Sequence, residues 1–185
     1  YQEDLEYSFD AGIPNGVPTV SKDTLESLKN IEHVQGATLY RSRQSYQAIF
    51  RNNTSLDGGY IMGVNQDYFS IAGLAIKQGR GITEDDNKKF RQVAVLDETS
   101  ARLLFGEDDP IGKTIEISST PFTIVGVCAD KETFEPSMES IDDYHTYNQS
   151  TGSKVYVPSE SWPIFYQFDE PQNALLKVDA TSNMT

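Results

Sequence analysis

The side chains that could carry out catalysis or bind a metal are few in this sequence of 185 residues. It contains two histidines, His33 and His145, and one cysteine, Cys128. A single cysteine excludes an internal disulfide and the cysteine–histidine spacings of zinc sites, and no G-x-S-x-G nucleophile motif occurs. Cys128 lies in an apolar, strand-like run, which favours a small buried side chain over a reactive thiol. The sequence therefore argues against an enzyme.

Acidic side chains are plentiful, but their spacing fits neither a calcium loop nor a glycosidase pair. The run Glu84-Asp85-Asp86 lacks the alternating oxygen ligands, the central glycine and the distant glutamate of an EF-hand loop. Asp142 and Asp143 are adjacent, and adjacent side chains in extended chain point to opposite sides. We therefore expect neither a metal nor another cofactor.

The charge composition disfavours two classes of binding partner, nucleic acid and anionic membrane surfaces. The net charge is −13, from 28 acidic and 15 basic residues. Nucleic acid requires clustered lysine and arginine, and an anionic membrane surface is disfavoured for the same reason. Such acidity suits a domain outside the cell that meets cationic ligands, or it serves solubility alone. No run approaches the roughly 20 apolar residues of a membrane-spanning helix, and because the chain begins at Tyr1 we expect a longer parent protein.

Helical and strand-like segments alternate along the chain, with glycines at many junctions. Ser21 and Asp97 are predicted to cap helices, the second with Leu103, Leu104 and Phe105 on its inner side. His33 is expected at the end of the first helix, and Ser159 as the cap of a later helical turn. The predicted helices cover 22–31, 66–72 and the segment after Asp97, and the predicted strands cover 34–51, 60–64, 93–96, 113–117, 121–128, 154–157 and 173–178.

Two segments are candidates for contact with another molecule. Arg41 and Arg43 lie in the most basic part of this acidic chain, where they indicate either a surface for an acidic neighbour or solvated charge that protects an edge strand. The stretch 131–152 has no periodicity, and a loop of that length in a compact domain is usually functional or mobile. Its acids and tyrosines are Glu135, Glu139, Asp142, Asp143, Tyr144 and Tyr147.

Five motifs, taken in their order, resemble one known family. They are GVNQDYF, GLAIKQGR, the acidic pair Asp85-Asp86, VAVLDETSARLLFGEDDPIGKTIEI and FTIVGV. In this order and spacing they resemble the extracytoplasmic (periplasmic) core domain of MacB-type ABC transporter permeases, within the MacB/FtsX-like permease family. The resemblance extends from about Val20 to Val178, which is most of the chain.

The resemblance implies an α+β fold with two subdomains. Residues 1–66 and 158–185 would form a porter-like subdomain of strand-helix-strand units. Residues 67–157 would form a smaller, inserted α/β subdomain. Family members continue after the equivalent of ALLKVD with a helix and a further strand, so the C-terminal part of the porter-like subdomain is expected to be incomplete here.

The resemblance also implies a function without chemistry. A non-catalytic domain on the extracytoplasmic side of the cell membrane would relay ATP-driven motion to an adaptor and to substrate during antimicrobial peptide or drug efflux. The implied partners are a second permease copy, a cytoplasmic ATP-binding subunit that hydrolyses ATP, a MacA-like adaptor and a cationic peptide or drug. The loop 131–152 would contact the adaptor or substrate. The alternatives are a lipoprotein-releasing or FtsX-type permease domain, and a stand-alone extracellular binding or adhesion domain.

Overall fold

A computed structural model describes residues 20–44, 49–56, 58–131, 153–166 and 170–179. These residues contain both helices and strands, with the helices outnumbered by strands, and the predicted α+β class is confirmed. The helices are α1 (Lys22–Lys29), α2 (Tyr68–Ile71), α3 (Glu84–Lys88), α4 (Glu98–Phe105) and a 3₁₀ helix (Ser159–Ile164). The strands are β1 (Val34–Gln44), β2 (Ile49–Arg51), β3 (Thr54–Leu56), β4 (Tyr60–Val64), β5 (Leu74–Gly79), β6 (Val93–Asp97), β7 (Thr114–Ile117), β8 (Thr120–Asp130), β9 (Lys154–Pro158) and β10 (Asn173–Val178).

The strands are hydrogen-bonded in the order β10-β1-β4-β9-β6-β8-β7-β2-β3, with β5 pairing with β8. Strand β1 changes its partner part-way along its length. Up to Tyr40, which lies opposite Asn173, it pairs antiparallel with β10. From Arg41, which lies opposite Gly63, it pairs antiparallel with β4. The β1–β10 ladder is therefore joined to the main sheet at one position of one strand.

The centre of the main sheet is buried on both faces. Strand β6 lies between β8, to which it is parallel, and β9, to which it is antiparallel. Its residues 93–96 are all buried, as the continuous apolar run predicts. The strand predicted over 154–157 is likewise confirmed as β9, which runs parallel to β4.

Alternate residues of these central strands belong to two hydrophobic clusters. In β6, Ala94 and Leu96 join the first cluster and Val93 and Val95 the second, because successive side chains of a strand face opposite sides. The first cluster includes side chains of α4 and the 3₁₀ helix, and the second includes side chains of α2. The sheet is therefore the middle layer of the domain, and its two sides are packed independently.

The predicted helix caps are confirmed at two helices. The Thr24 backbone N–H donates to Ser21 Oγ at 3.1 Å, and the Ser100 backbone N–H donates to Asp97 Oδ1 at 2.7 Å. Helix α4 ends at Gly106, whose φ of +60° few other residues adopt without strain. Short polar side chains before apolar segments therefore start the helices, as their sequence position indicates.

Three local predictions are wrong. Leu103 is 54% exposed, because successive helix positions are about 100° apart and the core side of α4 is taken by Leu104 and Phe105. Helix α1 ends at Lys29, so His33 lies beyond it in a turn with φ +70°. Pro158, and not Ser159, precedes the 3₁₀ helix in the capping position.

The sheet crosses the predicted subdomain boundary. Strand β4, from the segment assigned to the porter-like part, pairs with β9 of the segment assigned to the insertion. Strand β2 likewise pairs with β7. The division into two subdomains stays a prediction. Within the described ranges, no helix is both long enough and apolar enough to cross a membrane.

Candidate functional site

The two candidate arginines of β1 lie immediately after the position where the strand changes partner. Arg41 and Arg43 are two residues apart, so their side chains leave the same face of the strand. Both are half-buried. They approach the 3₁₀ helix and the residue Glu170, which precedes β10 by a few positions.

Glu170 accepts hydrogen bonds from two different elements although it is only 5% exposed. Arg43 Nε donates to Glu170 Oε2 at 3.2 Å, and Arg43 Nη2 makes a short contact with Oε1, so the pair is bidentate. Trp162 Nε1 donates to the same Oε2 at 2.9 Å. A buried carboxylate is tolerated because charged and neutral donors together satisfy both of its oxygens.

Arg41 completes the same group of contacts through main-chain and hydroxyl oxygens. Its Nη1 donates to Ser159 Oγ at 3.0 Å, and its Nε donates to the Glu170 carbonyl oxygen at 3.4 Å. Burial lowers the pKa of Arg41, while the nearby charges of Glu160 and Glu170 act in the opposite direction. Arg41 is therefore a half-buried cation whose guanidinium group binds oxygen atoms of the same chain.

Two aromatic rings, those of Tyr166 and Trp162, pack in this group of side chains. The Arg43 guanidinium carbon lies 4.8 Å from the centre of the Tyr166 ring, within cation–π range. The ring centres of Tyr166 and Trp162 are 4.7 Å apart. Trp162 is fully buried, and a Cβ placed on Gly63 of β4 would lie 2.7 Å from its Cε3 atom. We call these residues the Glu170 cluster: Arg41, Arg43, Ser159, Trp162, Tyr166 and Glu170.

The Glu170 cluster corrects one interpretation of the arginines. From Arg41 onwards β1 pairs with β4 alone among the described strands, so this part of the strand is a sheet edge, but Arg41 and Arg43 are half-buried there and their charge is not simply solvated. Both guanidinium groups bind partners within the chain. Their contact with a partner molecule stays a prediction.

The other candidate residues lie outside the part of the chain that the structure describes. This applies to all of the acids and tyrosines proposed for the loop 131–152, and to His145. Of that loop the structure describes Lys131 alone, and the described residues resume at Ser153. The candidates concerned are Glu135, Glu139, Asp142, Asp143, Tyr144 and Tyr147.

A second buried carboxylate belongs to Asp86, whose side chain is 0% exposed. Burial alone raises its pKa, but hydrogen bonds from Arg80 and Thr83 outweigh this and hold the pKa at about 2. Arg80 Nη1 lies 2.5 Å from Asp86 Oδ2, and the Thr83 backbone N–H lies 2.9 Å from the same oxygen. The reciprocal bond from the Asp86 backbone N–H to Thr83 Oγ1 completes a capping box at the start of α3. This acid is a structural group.

Two further groups with shifted pKa values, Asp97 and Cys128, are partly and fully buried, respectively, and have structural roles. Burial raises the pKa of Asp97, whose carboxylate caps α4. Burial likewise raises the pKa of the Cys128 thiol to about 12, which leaves it protonated and unreactive. Among the residues described, no group of three or more histidine, cysteine, aspartate and glutamate side chains is placed to hold a metal ion.

Sequence reasoning missed Glu170 as the partner of the arginines and Trp162 as a further donor to Glu170. One signal was present: Trp162 is the chain's only tryptophan, and a buried indole N–H needs an acceptor. Nothing local identifies that acceptor as Glu170, because 127 positions separate it from Arg43. The sequence indicated Arg41 and Arg43 as candidate contact residues but not which residues they contact.

Comparison with known proteins agrees with this architecture. The family model described as MacB-like periplasmic core domain matches residues 5–185. The ABC transporter permease YvrN of Bacillus subtilis is 29% identical over 167 residues, which are 90% of this chain and 38% of that protein. The macrolide export ATP-binding/permease protein MacB of Aggregatibacter actinomycetemcomitans is 33% identical over 132 residues, which are 65% of this chain and 20% of that protein. This chain therefore spans between a fifth and two fifths of the length of these relatives.

Two crystal structures share the fold. The periplasmic region of MacB from Actinobacillus actinomycetemcomitans superposes with a TM-score of 0.67 at 23% identity, covering 96% of this chain and 74% of that one. The extracellular domain of the transporter YknZ from Gram-positive bacteria gives a TM-score of 0.65 at 16% identity, covering 89% and 75%. These likenesses confirm the fold, and the family match confirms the resemblance drawn from the five motifs. The chain belongs to the family of MacB-like periplasmic core domains of ABC transporter permeases.

Proposed function

We propose that this chain is a force-relaying extracytoplasmic domain, which passes ATP-driven motion to an adaptor protein and to substrate during efflux. The observation that carries the proposal is the family match over residues 5–185. The domain catalyses no reaction in this proposal. ATP hydrolysis takes place in a cytoplasmic ATP-binding subunit, and the domain lies on the outer side of the cell membrane.

The partners follow from the same family. A second permease copy, a cytoplasmic ATP-binding subunit and a MacA-like adaptor complete the proposed transporter. The Aggregatibacter relative is itself named as a macrolide exporter with ATP-binding and permease parts. Its matched region is 20% of its length, so the proposal assigns ATP binding and membrane passage to other parts of the assembly.

The packing of the described residues supports a mechanical role. A sheet whose central strands are buried on both faces resists bending, because any displacement disturbs two packed clusters at once. The Arg43–Glu170 pair adds a bidentate contact whose geometry is fixed. A domain built in this way transmits motion from one end to the other with little deformation of its sheet.

Charge supports the proposed contact surface. The segment 132–152 contains five acidic residues and no lysine or arginine. In the proposal, its carboxylates attract a cationic peptide or drug, or basic residues of the adaptor, and its tyrosines provide apolar contact. The residues concerned are Glu135, Glu139, Asp142, Asp143, Tyr144 and Tyr147, with Arg41 and Arg43 as a second surface.

The test uses the full-length permease with its ATP-binding subunit and adaptor. In one variant the four loop acids become amides, namely Glu135→Gln, Glu139→Gln, Asp142→Asn and Asp143→Asn. The matched control neutralises exposed acids elsewhere, namely Glu84→Gln, Asp85→Asn, Glu107→Gln and Glu116→Gln. We expect the loop variant to lose export while ATP hydrolysis and the amount of protein in the membrane persist, and the control to export normally.

A second variant deletes the segment 132–152 and should lose export completely. Normal export by both loop variants would refute the proposed contact. Export that survives removal of the whole domain would refute the relay itself. Loss of lipoprotein release or of cell separation, in place of drug or peptide export, would assign the chain to the lipoprotein-releasing or FtsX-type branch.

A further inference from the structure

The Glu170 cluster lies where the β1–β10 ladder meets the main sheet. Strand β1 pairs with β10 up to Tyr40 and with β4 from Arg41 onwards. Among the described strands, β1 is the one that belongs to both ladders. A single continuous strand between two ladders can twist at the change of partner, because the backbone there is held from fewer directions.

The two ladders differ in how firmly they are packed. In β10, no residue is fully buried. In β4 and β9, four of the five residues of each strand are buried. Strand β10 is thus lightly packed, whereas Ala37 and Thr38 on the β1 side of the ladder are buried and Thr38 Oγ1 donates to Asn65 Oδ1 at 2.7 Å. The orientation of the ladder depends on these contacts together with those made at the joint.

Glu170 supplies those contacts from the β10 side. It is three residues before Asn173, the first residue of β10, and it binds Arg43 on β1. It also binds Trp162, which is anchored in the main core against Gly63 of β4. The Glu170 carboxylate, just before β10, therefore contacts both β1, through Arg43, and the main sheet, through Trp162.

The chemistry of these contacts suits a joint that must hold an angle. Apolar side chains can slide past each other at small cost, whereas a bidentate arginine–carboxylate pair fixes both distance and direction. The indole N–H adds a third fixed direction from a side chain that cannot move without opening a cavity. Arg41 holds the backbone at the same place through the Glu170 carbonyl oxygen.

We propose that Glu170, bound by Arg43 and Trp162, is a clamp that stiffens the joint between the β1–β10 ladder and the main sheet, so that displacement of the ladder moves the whole domain. This inference rests on the proposed force relay and names the residues that carry the force across the joint. Glu170 is a positioning residue in this role. Without the clamp, the ladder moves and the main sheet does not follow.

The first experiment measures the joint directly, in the full-length permease. Spin labels on cysteines placed by Thr114→Cys in β7 and Lys177→Cys in β10 report the distance between the main sheet and the ladder. Both positions are exposed, whereas the native Cys128 is buried and stays unlabelled. We expect one narrow distance distribution in the parent protein and a clearly broader one when Glu170→Gln is added. An unchanged width would overturn the clamp.

The second experiment measures coupling as export per ATP hydrolysed, in the assembled transporter. Glu170→Gln keeps the shape of the side chain and removes its charge, and we expect it to lower this ratio by about five- to tenfold. Trp162→Phe keeps an aromatic ring, removes the indole donor together with part of the ring volume, and should lower the ratio less. Glu116→Gln removes an exposed charge from β7 and should leave the ratio unchanged.

The outcomes separate the clamp from the relay and from a purely structural role. Export and ATP hydrolysis that fall together with the amount of folded protein would reduce Glu170 to a stability residue and overturn the clamp. If Glu170→Gln does not fold, Trp162→Phe decides, and a normal ratio in that variant overturns the clamp. A normal ratio in both, with export lost in the loop variants, refutes the clamp and leaves the relay standing.

Discussion

Asp86 gives the sharpest quantitative test of the packing described above. Its side chain is fully buried, and its pKa is held at about 2 against an ordinary value of 3.8. One pKa unit corresponds to about 1.4 kcal/mol, so ionised Asp86 contributes about 2 kcal/mol to the free energy of unfolding at neutral pH. Asp86→Asn removes this contribution and leaves Arg80 without its carboxylate partner. Since the Arg80 side chain is 42% exposed, water compensates in part, and we expect a loss of about 2–3 kcal/mol.

The sign of the pH dependence follows from the lowered pKa. The contribution of Asp86 is complete above pH 3.8, its ordinary value, and is lost as the pH falls through about 2. Roughly half of it should be gone at pH 3. The stability difference between the parent protein and Asp86→Asn should therefore shrink on acidification, because the parent protein then protonates the same group.

Urea unfolding at pH 7 and at pH 3 measures this difference. Asp85→Asn is the matched control, because its side chain is the neighbouring carboxylate, is 50% exposed and pairs with Lys89 and Arg91 at the surface. Exposed pairs contribute little, so this control should unfold close to the parent protein. Equal stability of Asp86→Asn and the parent protein at pH 7, or a difference that does not change between pH 7 and pH 3, would refute the reasoning.

Two further predictions concern single side chains. Phe90 has φ +50° and 61% exposure, at the position after α3 where glycine is normal, so Phe90→Gly should stabilise the fold by about 1 kcal/mol. Leu103→Gly, at an exposed position within α4, is the control and should destabilise the fold. A lower melting temperature for Phe90→Gly than for the parent protein would contradict the prediction. Cys128, with its pKa raised to about 12, should not react with a thiol reagent at pH 8 until the chain is unfolded by urea, and rapid labelling of the folded protein would disprove its burial.

The sequence predicted those parts of the fold that local patterns determine. Continuous apolar runs marked the strands that are buried on both faces, such as Val93–Asp97. Short polar residues marked helix starts at Ser21 and Asp97, because each satisfies a backbone N–H group within its own next turn. Leu103 shows the limit, since an apolar residue at a helix end need not face the core.

The pairing of distant segments could not be predicted in the same way. Nothing within β1 indicates that its partner changes between Tyr40 and Arg41, because strand propensity is equally high on both sides of the change. The pairing of β2 with β7 joins residues far apart in sequence, such as Ile49 and Ile117. Of the candidate site, the sequence indicated Arg41 and Arg43, but it did not predict that a carboxylate of the same chain would bind Arg43.

The presence of an ion pair at the joint is itself informative about how the domain is built. Burying the Glu170 carboxylate carries a desolvation cost that an apolar side chain of similar volume would avoid. Fold stability alone is therefore a weak explanation for a glutamate at this position. A lightly packed strand attached to a dense body gains most from contacts that fix direction, and Arg43 and Trp162 reach the carboxylate from two elements at once. If stability were the whole purpose, replacing the pair by apolar residues, as in Arg43→Met with Glu170→Leu, would keep the domain folded and the transporter coupled. The clamp requires that this double replacement keep the fold and lose the coupling.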